Sequence, residues 1–394
     1  MKLSHFSLAA LLLAAAALAQ AGAPTSGKAA LEASVAVKEE SAFDQIWGLT
    51  KLYENKDHPV LQELRFTGRY HGQYHWSEGA DTSNEAWEDR RFRLGLEAKL
   101  FNDITLKGEM VSGSDFDPFY NGFTELYLQW NPLDAFAIIA GRQKPRFTND
   151  WSTGSRYHNY LERSALLNQF RPDYTPGVAF TGKLGKFNYY TGVFSNSPSD
   201  ELSEEFGNIE GISFIAQIGY DLKETLGTDS ADWRLEYLCS DSNEDSTIFN
   251  HFENGLATSL SVRSGKASLI TELLYGVGSE SGDVFGVNLQ PGYFVTDKLQ
   301  VVGRYQVATS NGSEGISAQR RYERTVGLGK GDLYQAGYVG ANYYIYGNKL
   351  KLMGGLEYST LGGEEQWTGL LGVRVFWGAE VKGSFPTGYP YTTD

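Results

Sequence analysis

The sequence predicts an all-β chain, a 16-stranded antiparallel transmembrane β-barrel, and three observations predict it. The first is strict alternation. In LRFTGRYHGQYHW, Leu64, Phe66, Gly68, Tyr70, Gly72, Tyr74 and Trp76 share one parity, while Arg65, Thr67, Arg69, His71, Gln73 and His75 share the other. Successive side chains of a strand point to opposite faces, so this stretch has a greasy face and a wet one. The second is composition: 45 Gly, 24 Tyr, 22 Phe and 8 Trp stand against one Cys and three Met. Aromatic residues suit pleated, half-buried surfaces and the girdles at lipid–water boundaries. The third is that the connections between alternating stretches are by turns tight and long.

The elements follow in order. MKLSHFSLAALLLAAAALAQA sets Lys2 ahead of an apolar run from Leu8 to Leu18, with Ala19 and Ala21 around Gln20. Residues 1–21 therefore read as a secretory signal peptide cut after Ala21. No other stretch is long and apolar enough for a spanning helix, so the mature chain is either exported and soluble or crosses a membrane as strands. Residues 22–60 lack alternation and read as an N-terminal periplasmic lead-in. Phe43, Ile46, Trp47, Leu49 and Tyr53 roughly follow a helical stripe, which predicts a short helix near 42–54; a loosely ordered tail is the plainer alternative.

Strands are expected at 61–76, 88–101, 104–112, 122–131, 134–144, 176–184, 187–195, 210–222, 232–240, 255–264, 267–277, 284–294, 299–309, 333–345, 350–360 and 366–378. The barrel domain spans 61–379, and residues 380–394 form a C-terminal tail. Connections after strands 2, 4, 6, 10, 12 and 14 are short, such as NPLD, LGK, SGK and YGNK. Those after odd strands are mostly longer and more polar, such as NSPSDELSEEFGN and SDSNEDSTIFNHFEN. Tight turns on the periplasmic side and long loops outside are the layout of an outer-membrane barrel. A soluble sandwich mixes the two ends through its Greek-key crossovers. Cys239 stands alone, so no internal disulfide is available. The net charge of −14 argues against a nucleic-acid partner.

The same parity test assigns the lumen. Inward cations are Arg65, Arg69, Arg91, Arg93, Lys99, Lys107, Lys183, Arg234, Arg263, Arg304, Lys351 and Arg374; inward acids are Glu97, Glu109, Glu125, Asp221, Glu236, Glu272 and Glu357. The wall is thus cation-rich in an acidic chain, whose surplus acids sit in the lead-in and outer loops, as at Asp200, Glu201, Glu204 and Glu205. Rings of Arg and Lys in a narrow pore favour anions. The alternative is that these bases pair with wall acids and merely keep the lumen wet. The connection after strand 5, about 145–175, is long enough to be functional and to fold into the lumen as a constriction. It carries Arg146, Arg156, Arg163 and Arg171 against Asp150, Glu162 and Asp173, and the planar forks of arginine suit phosphate and carboxylate; a solvated outer loop is the plainer alternative.

The residues resemble the phosphate-selective porin O/P family. The stretches that carry the resemblance are EDRRFRLGLEAKLF, GRQKPRF with RYHNYLERS, PGVAFTGKLGKFNYYTGVFSN and YQAGYVGANYYIYGNKLKLMGGLEYS. It implies sixteen strands, an infolded third loop, a homotrimer, and basic residues that lead anions inward. Arg91, Arg93, Arg142, Lys144, Arg146 and Arg163 stand where that family tends to carry basic positions. Arg142 shares its parity with Phe136, Ile138 and Ala140, and a bulge there would turn it inward. The chain departs from many such barrels by continuing past Trp377 rather than ending on an aromatic residue.

The expected function is passive passage of small hydrophilic solutes, preferably phosphate-like anions, with outer-membrane lipid around the barrel. A non-selective diffusion pore is the first alternative, and a surface-binding or adhesive barrel working through its acidic loops is the second. Catalysis is not expected. His71 and His75 share a face but lie about 13 Å apart along a strand, too far for one metal. His158 and His251 fall in loops, and neither GxSxG nor HExxH occurs. No cofactor or metal is implied.

Overall fold

A computed structural model describes residues 41–196, 211–241, 252–278, 281–318 and 322–378. The expected signal peptide, the C-terminal tail and Asp200, Glu201, Glu204, Glu205 and His251 lie outside them. Sixteen long strands form the wall. They are β1 Leu61–Glu78, β2 Ser83–Leu100, β3 Ile104–Val111, β4 Phe123–Leu133, β5 Phe136–Gln143, β6 Thr175–Leu184, β7 Phe187–Ser195 and β8 Ile212–Asp221. The second half comprises β9 Ser230–Ser240, β10 Asn254–Ser264, β11 Ala267–Val277, β12 Val284–Phe294, β13 Leu299–Ser310, β14 Leu333–Tyr346, β15 Leu350–Leu361 and β16 Glu364–Trp377. Each pairs antiparallel with its sequence neighbours, and β16 pairs with β1 from Trp367↔Glu78 to Trp377↔Gly68, closing the sheet. Closure leaves no unpaired edge along that seam, which is what a sheet in hydrocarbon requires.

The alternation decides which face is which. On β15, Lys351 is fully buried while Leu352 is 47% exposed, and on β16 Arg374 is 4% exposed against 64% for Leu371. On β1, Thr67, His71, Gln73, His75 and Ser77 are buried and Tyr74 is exposed. Cys239 faces outward. Two acids on the outer face, Glu85 and Asp89, accept hydrogen bonds from the hydroxyls of Tyr74 and Tyr70. Glu85 lies on the part of β2 that precedes the expected start at residue 88 and Asp89 just inside it, in a stretch where the charges hide the alternation.

The lead-in differs from expectation. Helix α1 covers only Ala42–Gly48, capped by Ser41 and Asp44 in a reciprocal box. Residues Lys51–Glu54 are a short strand instead, paired with Glu63, Leu64 and Arg65 of β1. β16 ends at Trp377, opposite Gly68, so the first residues of β1 would otherwise lack a partner on that side. Pairing with that free edge overrides the helical stripe. Phe43 stacks on Tyr346, and the Trp47 indole donates to the Phe376 carbonyl at 2.6 Å, fastening α1 to the barrel.

The core lies inside the barrel. Phe147, Ala165, Leu166 and Phe170, from the connection between β5 and β6, pack on inward apolar residues of β8 to β14 such as Ile215, Leu238, Leu274 and Ala336. Each such Phe or Leu contributes about 1.5–3 kcal/mol when fully buried. This connection, residues 144–174, is the third long loop, and its packing fills one side of the lumen.

Candidate pore constriction

The third loop has little regular structure of its own, one turn at Asn149–Ser152 and another at Leu167–Phe170. Its buried backbone polar groups must find partners elsewhere. The wall supplies them. Arg374 donates to the carbonyls of Ser155 at 2.7 Å, Tyr160 at 2.8 Å and Leu161. Lys351 donates to His158 O at 2.7 Å, Asn342 to Asn159 O at 3.0 Å, and Arg304 to Glu162 O at 2.8 Å. On the amide side, Glu272 accepts from Asn149 N and Gln306 from Ala165 N at 2.8 Å. Within the loop, Arg163 holds the Asp150, Trp151 and Thr153 carbonyls. Three of the expected anion guides, Arg304, Lys351 and Arg374, are therefore anchors for the loop.

Other wall cations are compensated by acids. Arg65 pairs with Glu63, Lys107 with Glu125 at 2.6 Å, Arg234 with Glu236 at 3.7 Å, and Arg304 also with Glu357 at 2.7 Å. Lys99, Lys183 and Arg263 sit near the tight-turn end, Lys99 and Lys183 exposed. From the loop, Arg146 lies over the Tyr190 ring and Arg156 over Phe376, away from the opening described next.

Seven of the expected residues do converge. Between the loop and β1–β5 lies a cavity of 340 Å³ lined by Arg69, Arg91, Arg93, Arg142, Lys144, Arg163 and Arg171. Arg90 makes an eighth basic side chain, and among the described residues Asp173 is the one carboxylate on the lining. Ser112, Ser155, Asn121, Thr124, Tyr174 and Trp151 add polar and aromatic surface. Glu109, 1% exposed, compensates two of the eight: it accepts from Arg69 and from Arg93, each at 3.1 Å. Arg91 has no hydrogen bond or ion pair among the described residues. Basic groups so crowded are relieved by an entering anion.

Backbone irregularities build this cluster. Between His71 and Gly72 the register shifts: His71 faces Arg91, and Gly72 faces Asp89, so Arg90 is the extra residue of a β-bulge. Parity alone would send Arg90 into lipid; the bulge turns it to Glu162, which it meets at 3.0 Å. The adjacent pair Arg90–Arg91 was the available signal, since two neighbouring arginines cannot both face inward on a regular strand. At Arg142 the pairing with β4 runs through without the expected bulge. Instead Gly141 adopts φ +124°, a conformation open to glycine, and Arg142 lines the cavity. Thr124 is a second bulge residue and donates to Glu109.

A closed, antiparallel 16-stranded wall with charged residues inside and apolar residues outside is that of a transmembrane β-barrel. Residues 64–219, β1 through most of β8, match the family model described as phosphate-selective porin O and P, the family the sequence resembles. Among solved structures, OprB of Pseudomonas putida is similar at 14% identity, with a TM-score of 0.61 over 80% of this chain and 94% of that one. An anion-selective porin from Comamonas acidovorans gives 11% identity and a TM-score of 0.56 over 80% and 99%. The outer membrane channel DcaP of Acinetobacter baumannii gives 16% and 0.53 over 83% and 100%. At these identities the likeness is one of fold. No curated protein matches the chain.

Proposed function

We propose that this porin passes small hydrophilic solutes with a preference for anions, phosphate-like oxyanions among them. The observation that carries the reading is the 340 Å³ cavity beside the third loop, with eight basic side chains and one carboxylate on its lining. Inward charge of one sign within low-dielectric walls raises the local concentration of counter-ions, here anions, against an overall charge of −14. Conduction also requires release. Arg69 and Arg93 are partly satisfied by Glu109, which keeps each contact with a solute shallow. Export through the N-terminal leader and assembly as a homotrimer belong to the same proposal.

The test is the reversal potential of purified protein in a planar bilayer under a potassium chloride gradient. Anion preference, with chloride current blocked by added phosphate, is the expected result. A potential of zero or of cation sign overturns it, and zero is what non-selective diffusion gives.

A further inference from the structure

On the wall Arg65, Arg69, Arg93, Lys107 and Arg234 each meet a carboxylate, whereas the third-loop cations Lys144, Arg163 and Arg171 gather on an aromatic ring, Arg163 with Asp150 also at 4.0 Å. Trp151, 5% exposed and on the lining, is the hub. Lys144 Nζ lies 4.5 Å from its ring centroid, the Arg163 guanidinium 5.2 Å and that of Arg171 5.6 Å. Tyr174 meets the indole edge-on at 5.7 Å, and Arg93 lies over the Tyr174 ring at 5.0 Å.

We infer that Trp151 is a positioning residue for anion selectivity: its ring gathers Lys144, Arg163 and Arg171 at the cavity without cancelling their charge. The physical contrast is with a carboxylate. Three basic groups brought together repel, and the usual remedy is an acid between them, which removes the field an anion would feel. An indole face attracts cations through its quadrupole, most strongly of the aromatic side chains, yet carries no net charge. A guanidinium lying over a ring can still make in-plane hydrogen bonds, as Arg163 does to the Asp150, Trp151 and Thr153 carbonyls. Glu109 shows the other solution on the same cavity, where Arg69 and Arg93 share one carboxylate. The lining thus has a wall side held by a shared carboxylate and a loop side gathered by an aromatic ring that carries no net charge.

This inference rests on the anion-preferring reading, and the experiment separates the two. Reversal potentials and half-blocking phosphate concentrations are measured for wild type, Trp151→Phe and Trp151→Leu. Each protein is first shown to be a folded barrel by its compact mobility in unheated detergent gels. Trp151→Leu is expected to reduce the anion-to-cation permeability ratio about threefold or more, for cation–π contacts worth about 0.5–2 kcal/mol each. Trp151→Phe, which keeps a ring, is expected to retain more than half of the ratio. Lost packing alone would move both variants with total side-chain volume, whereas Phe and Leu differ chiefly in the ring. Equal ratios in Trp151→Phe and Trp151→Leu, or a wild-type ratio in Trp151→Leu, overturn the role of Trp151 and leave the anion reading standing. A wild-type channel without anion preference overturns both.

Discussion

Arg91→Gln is the sharpest perturbation of the proposed selectivity, because Arg91 lines the cavity and its removal orphans no ion-pair partner among the described residues. A cavity of 340 Å³ has the volume of a sphere about 4 Å in radius, and adding the half-width of a guanidinium puts a central anion about 6 Å from the Arg91 charge, where Coulomb's law in wet surroundings (ε about 40–80) gives about 0.7–1.4 kcal/mol. That corresponds to a change of about three- to tenfold in anion occupancy. The assay is the anion-to-cation permeability ratio from reversal potentials at about 0.1 M salt, where the Debye length still spans the cavity. The ratio should fall about three- to tenfold, with the barrel's resistance to heat in detergent unchanged. Lys183→Gln, at the exposed tight-turn end, serves as the control and should leave the ratio within about twofold. If Arg91→Gln matches wild type, or Lys183→Gln lowers the ratio as much, the cavity does not set selectivity and the reasoning fails.

The other expectations concern how the cavity is built. Arg374→Met should free the Ser155, Tyr160 and Leu161 carbonyls from their donor. Hydrogen bonds from a charged group contribute about 1.5–3 kcal/mol each, so the unfolding temperature in detergent should drop and single-channel current should become noisier; a quiet, equally heat-stable channel would show that the loop does not depend on this anchor. Gly141→Ala should cost about 1–3 kcal/mol, because an alanine strains at this backbone conformation. A Cβ there would also meet the Leu126 carbonyl oxygen at 2.4 Å. Its heat stability should therefore fall together with the proposed anion preference, and an unchanged variant would dissociate Arg142 from Gly141.

The charge pattern explains why a net acidity of −14 coexists with a basic cavity. Wall acids are spent on particular tasks. Glu109 and Glu125 hold cations, Glu272 holds a loop amide, and Glu162 of the loop meets the bulged Arg90. One carboxylate, Asp173, is left on the cavity lining. A wall rich in both signs can therefore carry a local field of one sign, since pairing is decided residue by residue at contact distance and not by the totals.

What the sequence determined by itself was the wall. A barrel in lipid punishes a polar group on its outer face, so period-two alternation had to be written into every strand, and tight turns had to alternate with long loops. Expected and observed strands accordingly coincide at Phe187–Ser195, Ala267–Val277 and Val284–Phe294, and differ by a few residues at most others. The arginines at 69, 91 and 93 were legible for the same reason. Tertiary structure alone decided which of the basic residues share a space. Arg304, Lys351 and Arg374 have the same parity signature as Arg69 and Arg93, yet they hold the loop's carbonyls on the other side. Arg90 broke the rule through a bulge and Arg142 through the Gly141 backbone, both local departures that a fixed period of two cannot express. The strand at Lys51–Glu54 depended on where β16 stops, a property of the seam and not of the segment. Alternation is enforced locally by the solvent on each face, whereas partnership inside the lumen depends on residues far apart in the chain that meet only once the barrel has closed.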